Sequence, residues 1–341
     1  MPTSNLGPPA PDLQPARSVW HHRYAKLVAA CTVILIAAGA SVTSTDSGLS
    51  VPDWPTTYGW NMFAFPLSRM VGGIRFEHTH RLIASTVGFM TIILAAWTWR
   101  VESRRWVRWL GVACLGAVVL QGVLGGITVL FFLPPAVSIG HAGLAQIFFC
   151  LTLTLALVTS PGWQSTPAAV DDQMLRRVAT ATTAVIYTQI LIGATVRHNA
   201  AGLAIPDFPW AFGHAIPPMW NARIAVNFAH RVGALVVTLG ILATSSHVLY
   251  HHRGRQELMT PAVLLLVFVT MQVTLGAFVI WSGRDPVINS LHVVNGAAVL
   301  GTSLVLTLRS WRGSTVREVQ RSRVPVPGSS GSAGSPAEVR P

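Results

Sequence analysis

The stretch GASVTSTDSGLSVPDWPTTYG at residues 39–59 returns later in the chain as GATVRHNAAGLAIPDFPWAFG at residues 193–213. Nine of the 21 aligned positions are identical, and both copies contain a Pro-Asp-aromatic-Pro segment, which begins at Pro52 and at Pro206. A further match aligns Gln121, Gly125 and His141 with Gln272, Gly276 and His292. An internal repeat of this kind indicates that the fold consists of two copies of one unit.

Long apolar runs flank both copies of the repeated stretch. Hydrophobic residues make up 51% of the 341 residues and charged residues only 11%, whereas a soluble domain carries about a quarter charged residues. A helix needs about 20 apolar residues to cross a bilayer core. Eight such spans are predicted, at residues 25–44, 79–99, 107–131, 137–159, 175–197, 224–249, 260–281 and 288–308.

The repeat divides these spans into two sets of four. Because four is an even number, both sets enter the membrane in the same direction, as in a parallel repeat. The predicted fold class is an all-α integral membrane protein with eight transmembrane helices in two pseudo-symmetric four-helix bundles. The predicted domains are a disordered N-terminus (1–22), an N-terminal bundle (23–160), a linker (161–174), a C-terminal bundle (175–310) and a disordered tail (311–341).

The net charge of +12 is explained by topology. Of the 24 Lys and Arg residues, 17 lie at the termini or in the loops after even-numbered spans. The positive-inside rule then predicts a protein of the cell (inner) membrane with both termini in the cytoplasm. No basic face with interleaved aromatic residues exists outside the tail, so no nucleic-acid partner is expected.

Four histidines occupy matching places in the two halves. They lie near the starts of the even spans, which places all four at a similar depth near the outer membrane face: His80, His141, His230 and His292. Ionisable groups inside membrane helices are costly and usually functional. Facing histidines on different helices commonly hold haem iron in a bundle. Zinc is less favoured at these histidines because their sites lack cysteine or carboxylate ligands at metal spacing, and hydrogen-bonded structural histidines remain the alternative.

Arginines accompany two of these histidines, and haem would explain them. Arg guanidinium groups suit bidentate pairing with carboxylates such as haem propionates, and snorkelling to the membrane interface is the alternative. The candidate propionate contacts are Arg75, Arg81, Arg223 and Arg231. The odd spans carry glycines near their outer ends that allow close helix approach or make room for a flat macrocycle: Gly39, Gly125, Gly193 and Gly276. Glutamines four residues before three of them are predicted to be interhelical hydrogen-bond donors: Gln121, Gln189 and Gln272.

One acidic residue distinguishes the halves. Glu77 precedes His80 by three residues and shares its helix face, whereas Asn227 holds that position before His230. A carboxylate there could accept a proton or stabilise charge, and a salt bridge to Arg75 or Arg81 is the alternative. Chemistry is therefore expected in the first half, and electron transfer or structural support in the second.

Other conspicuous residues receive no chemical role. His78 points away from His80 because residues two apart on a helix diverge, and His198 and His214 lack an evident partner in the outer loop. The three cysteines all lie within spans, where small apolar packing is their expected role: Cys31, Cys114 and Cys150.

Several motifs together give the chain a resemblance to the heme A synthases, over roughly residues 25–310. The motifs are SGLSVPDWP with YG, EHTHRL, HAGLAQ, NFAHR and LHVVNG. The resemblance implies oxidation of the C8 methyl of heme O to a formyl group, with water as the oxygen source, giving heme A for terminal oxidase assembly. It implies that His80 and His141 flank heme O, with Glu77 as the catalytic carboxylate. It also implies that His230 and His292 hold a resident heme b.

The chain departs from part of that family in its first outer loop. Some members carry two cysteines there, at the positions of Val51 and Thr57. A thiol-based electron route through that loop is therefore absent, and the electron acceptor is unknown. Two alternative functions remain open, a cytochrome b-like di-haem electron-transfer protein and a non-enzymatic haem-handling assembly factor. Expected partners are heme O, heme A and the lipid bilayer, and candidate protein partners are heme O synthase, oxidase subunits and a second copy in a homo-oligomer.

Overall fold

Eight long helices account for most of the protein. The computed structural model describes residues 15–165 and 170–312. The helices are α1 (Pro15–Ser44), α2 (Gly73–Val101), α3 (Arg105–Leu130), α4 (Pro135–Val158), the short α5 (Pro161–Ser165), α6 (Gln173–His198), α7 (Ala222–His251), α8 (Gln256–Trp281) and α9 (Pro286–Trp311). All except α5 contain a stretch long and apolar enough to cross a membrane. The predicted all-α, eight-span membrane fold is confirmed, and no strand occurs among the described residues.

The long helices form two closed rings of four. In the first bundle α1 contacts α2, α2 contacts α3, α3 contacts α4, and α4 contacts α1. In the second bundle α6, α7, α8 and α9 contact one another in the same cyclic order. Each ring has its own apolar core, which includes Leu94 and Phe148 in the first bundle and Ile241 and Leu265 in the second. Within a bilayer, van der Waals packing of these side chains and the hydrogen bonds between helices hold each bundle together.

The two bundles meet through α1 and α4 of the first and α6 and α9 of the second. The contacts α1–α9 and α4–α6 are equivalent under the repeat, and α4–α9 lies between them. Ile36, Phe149 and Ala297 form a buried apolar cluster across this interface. Gly301 allows the close approach, because a Cβ atom there would lie 2.9 Å from the Phe149 ring.

Two loops at the same end of the bundles carry the repeated sequence. Loop A (residues 45–72) joins α1 to α2 and contains two short 3-10 turns, whereas loop B (residues 199–221) joins α6 to α7. Each contains a cis X-Pro bond, at Trp54-Pro55 and at Phe208-Pro209. Each then forms one isolated bridge, between Thr57 and Trp60 and between Ala211 and His214. The end that carries both loops is called the loop end below.

Helix α1 begins earlier than the sequence suggested. It starts at Pro15, inside the segment predicted to be disordered through residue 22. His21 and His22 tie this first part down: a ring nitrogen of His21 lies 2.9 Å from the Thr98 hydroxyl, and one of His22 lies 2.9 Å from the Ala156 carbonyl oxygen. The two histidines interrupt the apolar run in the sequence, but their hydrogen bonds hold the first turns of α1 against the bundle. Residues 1–14 and 313–341, also predicted to be disordered, lie outside the described residues.

Candidate functional site

The four predicted ligand histidines all lie in the first third of their helices, close to the loop end. His80 is in α2, His141 in α4, His230 in α7 and His292 in α9. In the second bundle the ring centroids of His230 and His292 are 6.4 Å apart and the rings are nearly perpendicular. In the first bundle His80 and His141 lie on the two equivalent helices, α2 and α4. Each bundle therefore contains one histidine pair on two diagonally placed helices.

Each of the four histidines packs against a glycine of the long helix that precedes its own in the chain. A Cβ atom built on Gly39 would lie 3.1 Å from Cε1 of His80, and the corresponding distances in the other three pairs are 3.0–3.2 Å. Those pairs are Gly125 with His141, Gly193 with His230, and Gly276 with His292. The glycines were predicted to allow close helix approach or to make room for a macrocycle. In the structure, each glycine leaves the space that one imidazole ring occupies.

The histidine rings have the properties of metal ligands. All four are half-buried, and the Nδ1 atoms of His80, His141 and His292 are buried without a hydrogen-bond partner. Such unpaired polar atoms are costly unless something else binds the ring. The spacing of His230 and His292 leaves room for one metal ion, since each metal–imidazole bond is about 2 Å long. Two neutral imidazoles from facing helices of a bundle are a donor set that could hold haem iron.

Glutamines brace three of the four histidines, as hydrogen-bond donors between helices. Gln121 donates to the backbone carbonyl of His141 (3.0 Å), Gln189 to that of His230 (2.7 Å) and Gln272 to that of His292 (3.1 Å). The same amide nitrogen lies 2.9–3.3 Å from a ring nitrogen of the histidine in each case. The three glutamines therefore fix both the backbone and the ring of their histidine.

The histidines of the first bundle receive fewer of these supporting hydrogen bonds. The position four residues before Gly39 holds Leu35, so His80 has no equivalent glutamine. In the second bundle Asn295 donates to Oε1 of Gln272 over 2.7 Å, whereas the equivalent position in the first bundle is Leu144. Oε1 of Gln121 is accordingly buried without a partner.

Glu77 is buried and bonded through both carboxylate oxygens. Its Oε1 lies 2.7 Å from Nη2 of Arg81, and its Oε2 accepts a hydrogen bond from the backbone N–H of Val51 over 2.8 Å. Arg81 also donates to the backbone carbonyls of Val51, Asp53 and Thr56. The Glu77–Arg81 pair thus fastens loop A to α2, and the salt bridge weighed as an alternative for Glu77 is present.

Asn227 and Arg231 fasten loop B to α7 in the same way. Asn227 donates to the backbone carbonyls of Ala201 and Gly202, and it accepts a hydrogen bond from Nε of Arg231 over 3.0 Å. Arg231 donates to the carbonyls of three loop B residues, Ile205, Asp207 and Trp210. Protein acceptors therefore occupy four N–H donors of Arg81 and four of Arg231. The other two candidate propionate contacts, Arg75 and Arg223, are exposed.

An aspartate organises the turn inside each loop. Asp53 accepts hydrogen bonds from the backbone N–H groups of Tyr58 and Gly59, and Asp207 from those of Phe212 and Gly213. Gly59 and Gly213 have φ of 74° and 77°, a conformation that favours glycine. Burial pulls the pKa of Asp53 upward, but the hydrogen bonds outweigh it and hold that pKa below its ordinary value.

Arg197 is a site residue that the sequence analysis missed. It lies near the end of α6, between the bundles, and its Nη2 donates to the Ala40 carbonyl and the Ser44 hydroxyl of α1, both over 2.7 Å. Its Nε is buried without a hydrogen-bond partner. The repeat places Thr43 at the equivalent position of the first bundle, so the arginine occurs in the second bundle only. This difference between the two copies is the feature of the sequence that could have drawn attention to Arg197.

Two histidines left without a role acquire neighbours. His78 is buried, with Nδ1 3.1 Å from the Thr57 hydroxyl and its ring tilted by 50° against that of Phe65 at a centroid distance of 5.0 Å, so it packs against loop A. His198 is the last residue of α6 and follows Arg197 directly.

Comparisons with known proteins agree with this architecture. The family model described as cytochrome oxidase assembly protein, COX15-CtaA, matches residues 22–304. The heme A synthase of Halalkalibacterium halodurans is 27% identical over 280 residues, covering 80% of this chain and 92% of that protein. The heme A synthase of Geobacillus kaustophilus is 27% identical over 299 residues, with 85% and 92% coverage. That of Listeria monocytogenes is 26% identical, with 82% and 88% coverage.

The family match includes both bundles, both loops and all four histidines. The resemblance inferred from the short motifs is thereby confirmed over most of the chain. The protein belongs to the COX15-CtaA family of cytochrome oxidase assembly proteins.

Proposed function

We propose that this protein is a heme A synthase, a membrane oxidoreductase that converts heme O to heme A for terminal oxidase assembly. One observation carries the proposal: each bundle of this family member contains a pair of histidines, and each histidine ring packs against a glycine. Both pairs suit haem iron, and a buried carboxylate lies beside only one of them, where Glu77 precedes His80.

The bracing of the histidines supports a division of labour between the bundles. His292 is held by Gln272, which Asn295 holds in turn, so the second bundle suits a resident heme b that stays in place. His80 has no glutamine brace, and its site suits a substrate haem that must enter and leave. Preorganised ligands bind more tightly because less freedom is lost on binding.

The reaction oxidises a methyl group to a formyl group. One water adds its oxygen, and four protons and four electrons leave, so an external electron acceptor is required. A bound heme b would supply one-electron redox chemistry at the His230–His292 pair. Glu77 would hold negative charge or accept a proton beside the reacting edge of heme O, while Arg81 keeps its side chain in place. The loop A backbone fastened by Arg81 would help to exclude bulk water from that edge.

We assign a haem-carboxylate contact to Arg197 as well. A half-buried guanidinium that lies between the bundles, with a buried and unused Nε–H and without a carboxylate within 4 Å among the described residues, is an expected partner for a propionate. Arg75 and Arg223 remain candidates at the exposed rim, and Arg81 and Arg231 each have one N–H left for this purpose.

The cellular setting follows from the same proposal. The loop end would face the outer side of the cell (inner) membrane, with both termini in the cytoplasm. Heme O and heme A would be the small-molecule partners, and heme O synthase and oxidase subunits the candidate protein partners. Loop A carries Val51 and Thr57, so the protein has no thiol pair at these positions. Electrons must therefore pass from the enzyme to the acceptor by another route.

The test is co-expression with a heme O synthase in a host that lacks its own heme A synthase. Chromatography of the extracted haems should then reveal heme A, and the inactive control is the same host with an empty vector. Accumulation of heme O alone, with the protein folded and haem-loaded, would refute the proposal.

A di-haem electron-transfer protein is the second candidate, and one observation favours it. Both oxygens of Glu77 are occupied by Arg81 and Val51, as expected of a purely structural anchor. Such a protein would retain both haems and reduce them with a quinol, but it would leave heme O unmodified in the co-expression test.

A further inference from the structure

A second group of metal-ligand side chains lies at the end of the bundles opposite the loop end. HVLYHH at residues 247–252 closes α7, and short histidine-rich tracts often bind metal ions. His247 and His252 both direct Nε2 at one oxygen, Oδ2 of Asp172, over 2.7 and 2.9 Å. The three ligand atoms all lie within 4.8 Å of one another. None of these residues belongs to the haem sites.

We propose that Asp172, His247 and His252 form a binding site for one divalent transition-metal ion of the zinc type. Two imidazole nitrogens and one carboxylate oxygen are a common zinc ligand set, with bonds of about 2.0–2.2 Å. Water would complete the coordination. The ion would take the place of any Nε2 proton that faces Asp172, and each ligand ring would then carry its single proton on Nδ1 as a neutral imidazole.

The local structure prepares the three ligands. Asp172 caps the start of α6, where its Oδ1 accepts the backbone N–H of Leu175 over 2.8 Å, and this bond leaves Oδ2 for the ion. His247 lies in the last turns of α7, and His252 is its C-terminal cap residue. Because α6 and α7 pack along their lengths, the ligands approach one another without rearrangement of the helices.

The neighbouring charges leave room for a cation. Arg176 pairs with Asp171 over 3.5 Å and donates Nε only to the backbone carbonyl of Asp172, so it does not occupy Oδ2. The His251 ring lies 4.4 Å from that of His247 and its Nδ1 is 3.2 Å from the His247 carbonyl oxygen. The ion would clamp the start of α6 to the end of α7.

Zinc binding by haem-loaded, full-length protein in detergent tests the proposal. The protein should carry no polyhistidine tag, and it is stripped with a chelator and dialysed against zinc chloride. We expect one zinc per chain by elemental analysis, and at least tenfold weaker binding in His247→Gln, His252→Gln and Asp172→Asn. The control His214→Gln changes an exposed loop B histidine and should keep full binding.

Two outcomes would overturn the site. One is wild-type protein that binds no zinc, and the other is zinc that persists in the His247 and His252 variants, which would place it at an empty haem pair. If the variants fail to fold, judged by their haem spectra, zinc K-edge absorption of the wild-type protein decides. Two imidazoles and one carboxylate support the proposal, and an all-water shell refutes it.

Discussion

Asn295 donates a hydrogen bond from its Nδ2 to Oε1 of Gln272 over 2.7 Å. Gln272 is thereby oriented so that its own amide nitrogen faces His292. This chain of two amides exists in only one bundle, because Leu144 stands where the repeat places Asn295. The two proposed haem sites therefore have matching histidine pairs and differ in the hydrogen bonds that hold these histidines.

Replacing Gln272 with Leu should loosen the second site. The substitution removes the donor to His292 and leaves Asn295 without one acceptor, and loss of such outer partners typically weakens metal-site affinity about 10–100-fold. We expect less resident haem per chain, measured by pyridine haemochrome, and a changed low-spin electron paramagnetic resonance signal. Gln121→Leu is the matched variant in the first bundle and should leave that signal unaltered. Equal haem loss from both variants would contradict the assignment of heme b to the second bundle.

Replacing Glu77 with Asn tests catalysis separately from anchoring. Asn227 already fastens loop B in the equivalent place, so Glu77→Asn supplies a side chain that the repeat tolerates. If the carboxylate acts in the reaction, heme A formation should fall by about 10²–10⁴-fold, the usual range for a general acid or base, with haem binding retained. Full activity in this variant would make Glu77 an anchor only. Asn227→Asp is the control on the other bundle, and it should not create a second reaction site.

Two glycines of α3 offer a matched test of how the histidines are seated. A Cβ atom on Gly125 would lie 3.2 Å from the His141 ring, whereas one on Gly122 would meet nothing within 4 Å. Gly125→Ala should displace the ring, reduce haem O binding and cost about 1–3 kcal/mol through overpacking. Gly122→Ala should be neutral or stabilise α3 by up to about 1 kcal/mol. Thermal unfolding and haem titration of both variants measure the difference, and identical behaviour would refute the seating role.

Removing the Arg197 charge should change the redox properties of the second site. A cation beside a haem favours the reduced state, so Arg197→Gln should lower the midpoint potential by on the order of 60 mV, the one-electron equivalent of a tenfold change. Arg197→Lys should keep most of the potential. A potentiometric titration followed at the haem absorption bands measures both. An unchanged potential in Arg197→Gln would show that the guanidinium serves only to join α6 to Ala40 and Ser44 of α1.

The Asp53 turn predicts a specific loss of stability in acid. Because the folded-state pKa of Asp53 is depressed, its contribution is present above its ordinary value of 3.8 and is lost as the pH falls through the folded pKa. Asp53→Asn should therefore unfold at a lower temperature than wild type near pH 6. The difference should shrink as the pH drops below about 4. A constant difference across this range would indicate that the carboxylate charge contributes nothing to loop A.

The sequence predicted the parts of this structure that depend on local pattern. Hydropathy located all eight membrane helices, and the repeat placed His80, His141, His230 and His292 at one end. The glutamines were expected to bond between helices, and they do. These features follow from residue spacing along single helices, which a linear pattern records directly.

What the sequence could not reveal depends on how loops fold back over helices. Arg81 and Arg231 were interpreted as propionate contacts, but most of their donors bind carbonyls of loops A and B. Nothing in their helical spacing indicates that contact. The start of α1 was placed too late because His21 and His22 break the apolar run. Their partners lie on α2 and α4, which only the folded bundle brings near.

The direct contact of α1 and α4 with α9 and α6 has a further consequence. Two identical four-helix units associating about a two-fold axis along the membrane normal would produce the same arrangement, with two identical pockets. Fusion of such a homodimer into one polypeptide removes the requirement that every substitution appear twice. After fusion, positions 35, 77 and 144 were free to diverge from 189, 227 and 295. One copy of the ancestral haem pocket would then specialise in the reaction, while the other would keep a permanently bound haem.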